Sequence, residues 1–388
     1  MQGNKTSVLV FAPHFSPAFK AGGVVKTLIR FIDMLKHDIS FTIISSDRDI
    51  GDTSSFKEVK VNRLISKDAF SVAYSNGFFW YFYFICKIIL FKRSKYDYIY
   101  LNGLFSLKYS IIPLVVFKFL LPSTKIVCAI RGESSDSALA KSNFKKYIFL
   151  KFINAFGLYK NIIFQATSES ERSDFISNIS TVFKDIYLVQ DPVSMPLTTI
   201  SKIHSSKNEL NNVLTIALIG RISAVKNIDF ALKILKLVKS EVALSIFGPI
   251  EDYEYWEVCL RIVKTLPKNV TVIYEGALSP DDLYTRLSSF DLLLHPSKGE
   301  NFGHVIYEAL SLGVPVLISD KTPWVNLEKL NIGWDVSLGQ PDKFAYYIDA
   351  YSVLEHNIRN EMKNSALKYA YKIYSNSSVN QNMNLFSW

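Results

Sequence analysis

One pattern constrains this chain above all others: short apolar runs alternate with amphipathic helical segments, and the alternation occurs twice. "SVLVFA" (7–12) is apolar throughout and too short for a buried helix, so it reads as a strand covered on both faces. "VVKTLIRFIDMLKH" (24–37) then places its apolar residues at helical spacing. Further strands are expected at "FTIISS" (41–46), "YDYIYLN" (96–102), "TKIVCAIR" (124–131), "NIIFQATS" (161–168) and "DIYLVQDPV" (185–193), with a helix within 104–121. After the polar stretch "TTISKIHSSKNELNN" (198–212) the pattern restarts. "VLTIALIG" (213–220), "VALSIFG" (242–248), "VTVIYEG" (270–276), "FDLLLHPS" (290–297) and "VPVLIS" (314–319) are its strands.

Strands joined by crossover helices imply parallel, doubly wound sheets, hence an α/β fold of two Rossmann-like domains. The expected boundaries are a first domain at 1–197, a linker at 198–212 and a second domain at 213–358. A C-terminal helical segment, 359–388, is expected to pack back on the first domain. Ligands of such folds bind beyond the carboxyl ends of the strands, here in a cleft between the two domains. The 388 residues, 49% hydrophobic and 20% charged, suffice for two cores.

The net charge of +9 is unevenly spread. Residues 1–195 hold 25 Lys and Arg against 15 Asp and Glu; residues 196–388 hold 19 against 20. The whole excess belongs to the first half, which points to an anionic partner there. Cys86, Cys128 and Cys259 show no metal-ligand spacing and imply a reducing compartment. The opening "MQGNKTSVLVFAP" lacks the apolar core of a secretion signal, so a cytoplasmic location is expected.

In the second half, "LIGRISAVKNIDFALKIL" puts Arg221 and Lys226 between a strand end and a helix starting near Asn227. Two cations at a helix N-terminus read either as a solvated loop or as a diphosphate site, in which the Arg would hold two oxygens and the Lys act as a mobile point charge. "HPSKGENFGHVIYEALSLGVPVLIS" (295–319) follows a strand with a loop to Gly303 and a helix to Ser311. Glu300 precedes that helix and Glu308 lies within it. Carboxylates contact phosphate poorly but accept hydrogen bonds from sugar hydroxyls, and Gly303 lets a ligand approach the backbone.

The pattern G-R-x4-K, then P-S-x2-E-x-F-G-x4-E-A-x3-G-x-P-V, resembles the family-4 group of retaining glycosyltransferases, which have the GT-B fold. The resemblance covers about 100 residues, from Gly220 to Ile318. It implies that Arg221 and Lys226 bind the donor diphosphate and that Glu308 meets the ribose. It also implies that Glu300, with Asn301, Phe302 and Gly303, contacts the transferred sugar, and that Ile250 and Ala277 flank the base. Gly22 and Gly23, before the first helix, match the glycine pair whose backbone nears the donor phosphate. Glu300, Arg221, Lys226 and Asn102 form the expected catalytic set. Asn102 stands where many relatives carry histidine, and an amide cannot accept a proton at neutral pH, so a histidine-based role does not carry over.

The acceptor is assigned to the first half, through His14 and Lys20, Asp47 and Asp49 of "SSDRDIGD", and Arg131 and Glu133 of "AIRGESSDS". Arg131 with Glu133 reads equally as a structural pair, and Glu171 as a cleft support or a helix cap. Asp47-Arg48-Asp49 resembles a metal-binding D-x-D, yet the diphosphate already has two cations, so no metal and no other cofactor is expected beyond the nucleotide-sugar co-substrate. "GFFWYFYFICKIILFKRSKYD" (77–97) and "KSNFKKYIFLKFINAFGLYK" (141–160) mix aromatic residues with cations. Too short to span a bilayer, they suggest contact with anionic headgroups at the inner face of a cell membrane. No nucleic-acid motif is present.

The expected activity is thus retaining, metal-independent transfer of a hexosyl group, UDP-linked foremost, to a glycan or lipid-linked glycan in bacterial cell-surface polysaccharide synthesis. A nucleotide-sugar epimerase of the same fold and a non-catalytic sugar-nucleotide binder stay open. A dinucleotide-dependent oxidoreductase needs G-x-G-x-x-G after the first strand, and "APHFSPAFKAGG" does not supply it.

Overall fold

The computed structural model describes residues 5–91, 96–135, 139, 143–179, 181–196, 213–278, 280–376 and 379–387. The expected linker at 198–212 lies outside them, as do Lys92, Arg93 and Lys95 and the side chains of 141–147. The chain divides into two compact units, 1–193 with 377–388, and 194–376.

The first unit holds an eight-stranded sheet. Its strands are β1 (Thr6–Phe11), β2 (Ile39–Ser46), β3 (Leu64–Ser66), β4 (Phe70–Ser75), β5 (Tyr98–Asn102), β6 (Lys125–Ala129), β7 (Ile163–Ala166) and β8 (Asp185–Leu188). They lie in the order β3-β4-β2-β1-β5-β6-β7-β8, all pairs parallel except β3 with β4. The edge pair β3–β4 has no counterpart in the sequence reading. It is short, and "FSVAYS" alternates serine with apolar residues, so its pattern is weaker than that of the buried runs.

Successive residues of β1 serve opposite faces, which explains its unbroken apolar run. Leu9 and Phe11 join a core with Tyr81, Ile85, Leu114 and Ile153 from the helices Gly77–Phe91, Ile112–Leu120 and Asn143–Ala155. Val8 and Val10 face Leu28, Phe31, Ile32 and Leu35 of the helix Gly23–Leu35. Leu385 and Phe386 complete this second core, Phe386 lying 5.4 Å from the Tyr98 ring and 6.0 Å from that of Phe31.

The second unit holds β9 (Leu214–Ile219), β10 (Val242–Phe247), β11 (Val270–Gly276), β12 (Leu292–His295), β13 (Val316–Ser319) and β14 (Gly333–Val336). The order is β11-β10-β9-β12-β13-β14, parallel throughout. The chain winds outward from β9 through β10 to β11, then restarts at β12 on the other side. Hence β9 and β12 flank a topological switch point, where the following loops part and leave a crevice. In the first unit β1 and β5 flank the corresponding point.

The C-terminal expectation needs correcting. The helix His356–Asn376 belongs to the second unit, where Met362, Ala366 and Ala370 are buried and it packs on the helix His304–Ser311. These three residues sit four apart, so a single narrow face docks there. The return to the first unit starts at 377 rather than 359 and is anchored by Leu385 and Phe386.

Candidate functional site

The loops after β9 and β12 meet at the switch point of the second unit. Lys298 N donates to Val225 O at 2.8 Å and Ser297 Oγ to the same carbonyl at 3.2 Å, so the two loops are tied together. The loop after β9 is also tied to the one after β10: Ile222 N donates to Pro249 O, and the amides of Glu251 and Asp252 donate to Ile222 O. Gly248 permits this approach. A Cβ there would lie 1.9 Å from Gly220 O, and its φ of +145° suits only glycine.

This frame brings Lys226 and Glu300 together. Lys226 Nζ lies 2.5 Å from Glu300 Oε1, and His295 Nε2 lies 2.7 Å from the same oxygen. The Glu300 side chain is 13% exposed and that of Lys226 19%. Burial by itself raises the Glu300 pKa. The Lys226 charge and the hydrogen bonds from His295 and Lys226 outweigh it and hold the carboxyl well below the usual range. Glu300 is thus a firmly ionised hydrogen-bond acceptor inside a largely dry site.

Two helices begin beside this cluster. Asn227 precedes Ile228–Leu235 and Gly303 precedes His304–Ser311; both are left-handed, and neither helix start has a side-chain cap. Their N-termini therefore direct partial positive charge at the same crevice as Lys226. Arg221 is half-exposed and pairs with Glu251 at 2.9 Å. Glu308 is buried on the second helix. The Phe302 carbonyl accepts from Trp324 Nε1, and the Phe302 ring packs between His304 and Trp324. Asn301 is half-buried in the same loop, Ile250 is half-buried beside Ile222, and Ala277 is exposed just beyond β11.

In the first unit, Gly22 (φ +70°) precedes Gly23, the first residue of the helix, and open space lies where a Gly22 Cβ would stand. The same unit pairs several of the residues assigned to the acceptor with its own groups. Asp49 is buried, its carboxylate accepting from the amides of Phe19, Lys20 and Ile50. Asp47 is equally buried and accepts from Arg48 and from Ser55. Both carboxylates brace loops. Lys20 is paired with Asp52 at 2.5 Å. His14 is half-buried, and burial lowers its pKa against the opposing charge of Asp49.

Arg131 and Asn102 also serve the interior. Arg131 donates from Nε to Asn102 Oδ1 at 2.8 Å, from one terminal nitrogen to Asp191 Oδ1 at 2.5 Å, and from the other to Tyr100 Oη at 2.9 Å. Its side chain is 4% exposed and Asn102 is 3% exposed, so both belong to a buried network. Tyr100 Oη in turn donates a hydrogen bond to Gln165 Oε1 at 2.6 Å. Glu133 Oε2 accepts from the amides of Leu104 and Phe105 at 2.7 and 2.8 Å, bracing the loop after β5. Glu171 caps: it accepts from Thr167 and Gly132, while Ser168 accepts from the Glu171 amide. Among the described residues no group of three or more His, Cys, Asp or Glu side chains gathers as a metal site would.

Two participants escaped the sequence reading. Asp191 lies beyond β8, and only the fold brings it to Arg131. His295 closes β12, and a histidine ending an otherwise all-leucine strand was a visible signal.

Residues 200–371 match the family model described as glycosyl transferases group 1. An uncharacterized glycosyltransferase of Methanocaldococcus jannaschii is 27% identical over 165 residues, a match spanning 41% of this chain and 41% of that relative. Anabaena HepE, solved in complex with UDP and glucose, superposes with a TM-score of 0.70 at 16% identity, covering 98% of both chains. A glycosyltransferase from Rickettsia africae gives 0.67 at 17% identity over 99% of both chains. Sucrose-phosphate synthase from Thermosynechococcus elongatus gives 0.69 at 15% identity, over 99% of this chain and 100% of that one. At these identities the likeness is one of fold. The chain has the two-domain α/β GT-B fold, and its residues 200–371 are similar to the glycosyl transferases group 1 model.

Proposed function

We propose that this protein is a retaining glycosyltransferase that takes a hexosyl group from a nucleoside diphosphate, UDP foremost, and passes it to a glycan or lipid-linked glycan. One observation carries the reading: Lys226, Glu300 and two uncapped helix starts converge at the switch point of the second unit. Lys226, Arg221 and the helix starts would hold the diphosphate, and Glu300 would accept from hydroxyls of the sugar. Glu308 would meet the ribose, and Ile250 and Ala277 the base. The UDP bound by the Anabaena relative supports UDP as the first probe.

Breaking the bond from the anomeric carbon to the diphosphate builds positive charge on the sugar and negative charge on the leaving group. Fixed cations and helix dipoles stabilise the latter without reorganising. The departing phosphate oxygen can take the acceptor hydroxyl's proton on the face it leaves, so the new bond forms on that same face. Such a reaction needs no strong protein base, in keeping with an Asn102 that cannot act as one. The cations already offset the diphosphate charge, which supports metal independence. Thermal shift with UDP, GDP, ADP and NAD in EDTA tests the site. A shift with one nucleoside diphosphate that is lost in Arg221→Ala is expected, whereas stabilisation by NAD alone would defeat the reading. Binding without turnover would leave a sugar-nucleotide binder.

The site of action we assign is the inner face of a bacterial cell membrane, in cell-surface polysaccharide synthesis. No described helix is long and apolar enough to cross a bilayer. The helix Gly77–Phe91 buries Tyr81, Phe84, Ile85 and Ile88 yet exposes Phe78, Phe79, Phe82, Tyr83 and Leu90. Lys108 Nζ donates to Gly77 O at 3.1 Å, which sets exposed Leu107 beside that helix. Lys118 Nζ donates to the carbonyls of Gly157, Leu158 and Lys160 and so draws exposed Phe119, Leu120 and Phe156 to one place. Exposed aromatic rings on a unit with excess positive charge suit an anionic interface. The protein is expected to sediment with vesicles containing phosphatidylglycerol, and Phe79→Asp with Phe82→Asp to reduce this about tenfold. Equal sedimentation of the double variant would exclude this face.

A further inference from the structure

His295 has no task in the donor scheme above. It closes β12, is 2% exposed, and sits on a strand paired on both sides, with β9 and β13. Its Nε2 shares Glu300 Oε1 with the Lys226 ammonium. These two partners differ in kind. Lys226 ends a flexible four-carbon stem and carries the charge that a diphosphate attracts, so it can leave Glu300 when phosphate arrives. The His295 ring is held by a buried strand and cannot follow. A buried carboxylate that lost its sole partner would favour protonation.

We propose that His295 is a positioning residue that keeps Glu300 ionised and oriented while Lys226 turns to the diphosphate. This rests on the donor-site reading. Because Glu300 is ionised and only accepts, His295 must carry its proton on Nε2. Both hydrogen bonds fall on Oε1, and among the described residues Oε2 receives none. Oε2 is thereby left to the sugar hydroxyls. The arrangement separates two duties: Lys226 reads phosphate, and the His295–Glu300 pair reads sugar.

The full chain, labelled with nitrogen-15, is examined by long-range proton–nitrogen spectra of its histidine rings. His295 is expected in the Nε2–H form, with signals that move in Glu300→Gln and stay in that form when UDP is added. Calorimetry then compares UDP with UDP-glucose and UDP-N-acetylglucosamine for wild type, His295→Leu and His295→Gln. UDP affinity is expected to stay within about twofold in all three. The gain from the better-bound sugar should fall about fivefold or more in His295→Leu and return in His295→Gln, whose amide donates from a similar place. Nδ1–H on His295, or a full sugar increment in His295→Leu, overturns this inference alone. A parallel loss of UDP and UDP-sugar binding in both variants overturns it as well, since that marks a merely structural histidine. A wild type that binds none of these nucleotides, with His295 still in the Nε2–H form, overturns the donor-site reading and this task with it.

Discussion

Lys226→Met is expected to lower both nucleotide affinity and the stability of the second unit, the latter by about 3 kcal/mol at pH 7. The ammonium is the larger of the two influences, with His295, that make an ionised Glu300 tolerable at 13% exposure. Without it, burial is opposed by His295 alone, and the carboxyl pKa rises. For a unit of this size the melting temperature should fall about 6 to 12 °C.

The pH dependence has a defined sign. Glu300 has a folded-state pKa below its ordinary value of 4.5, so its contribution is fully present above that value. It is lost as pH falls through the depressed folded-state pKa. The gap between wild type and Lys226→Met should therefore be full at pH 7 and narrow below about pH 4.5. UDP affinity should drop on the order of 100-fold, since a largely desolvated cation facing phosphate is removed. Adding Glu300→Gln should restore stability but not affinity, separating the two roles. Equal melting temperatures for wild type and Lys226→Met at pH 7 would show that the pair contributes nothing.

Arg131→Met should be the most damaging single change in the first unit, costing about 3 to 5 kcal/mol. Asp191, 9% exposed at its side chain, would lose its counter-charge, and Asn102 and Tyr100 would lose their donor. Burial would lower the Arg131 pKa, but Tyr100 and Asp191 outweigh it and push it further above the ordinary value. Arg131→Lys should also destabilise, because one ammonium cannot reproduce a planar fork reaching three partners. Arg131 moreover occupies a φ of +54°, uncommon for a side chain of its size, and this network holds it there. Urea denaturation, with hydrogen exchange at β5 and β6 to localise the loss, measures the effect. Unchanged exchange at these strands in Arg131→Met would refute the network's importance.

Much of the fold was legible because the strongest strands are buried on both faces. β1, β5, β9 and β12 announce themselves as largely apolar runs, and the helices between them as periodic ones. β3 and β14 did not, being short and partly polar, and β4 did not because serines interrupt its apolar residues. The helix His356–Asn376 was visible, but not the unit it joins: that depended on Met362, Ala366 and Ala370 matching a surface, and periodicity is silent about partners.

The site divides along the same line. Lys226 and Glu300 stand out because each lies in a loop directly after a strand, and such loops gather at one edge of a parallel sheet. Sequence alone thus determined the fold class, the position of both switch-point loops and the cations and carboxylates they carry. Only the tertiary structure decided which polar groups are spent internally. Asp47, Asp49, Asn102, Arg131 and Glu133 have the side chains of site residues, yet the chain brings buried amides, hydroxyls and counter-charges against them. A buried polar group must be paired, and which partner meets that demand is set by contacts between residues far apart in sequence.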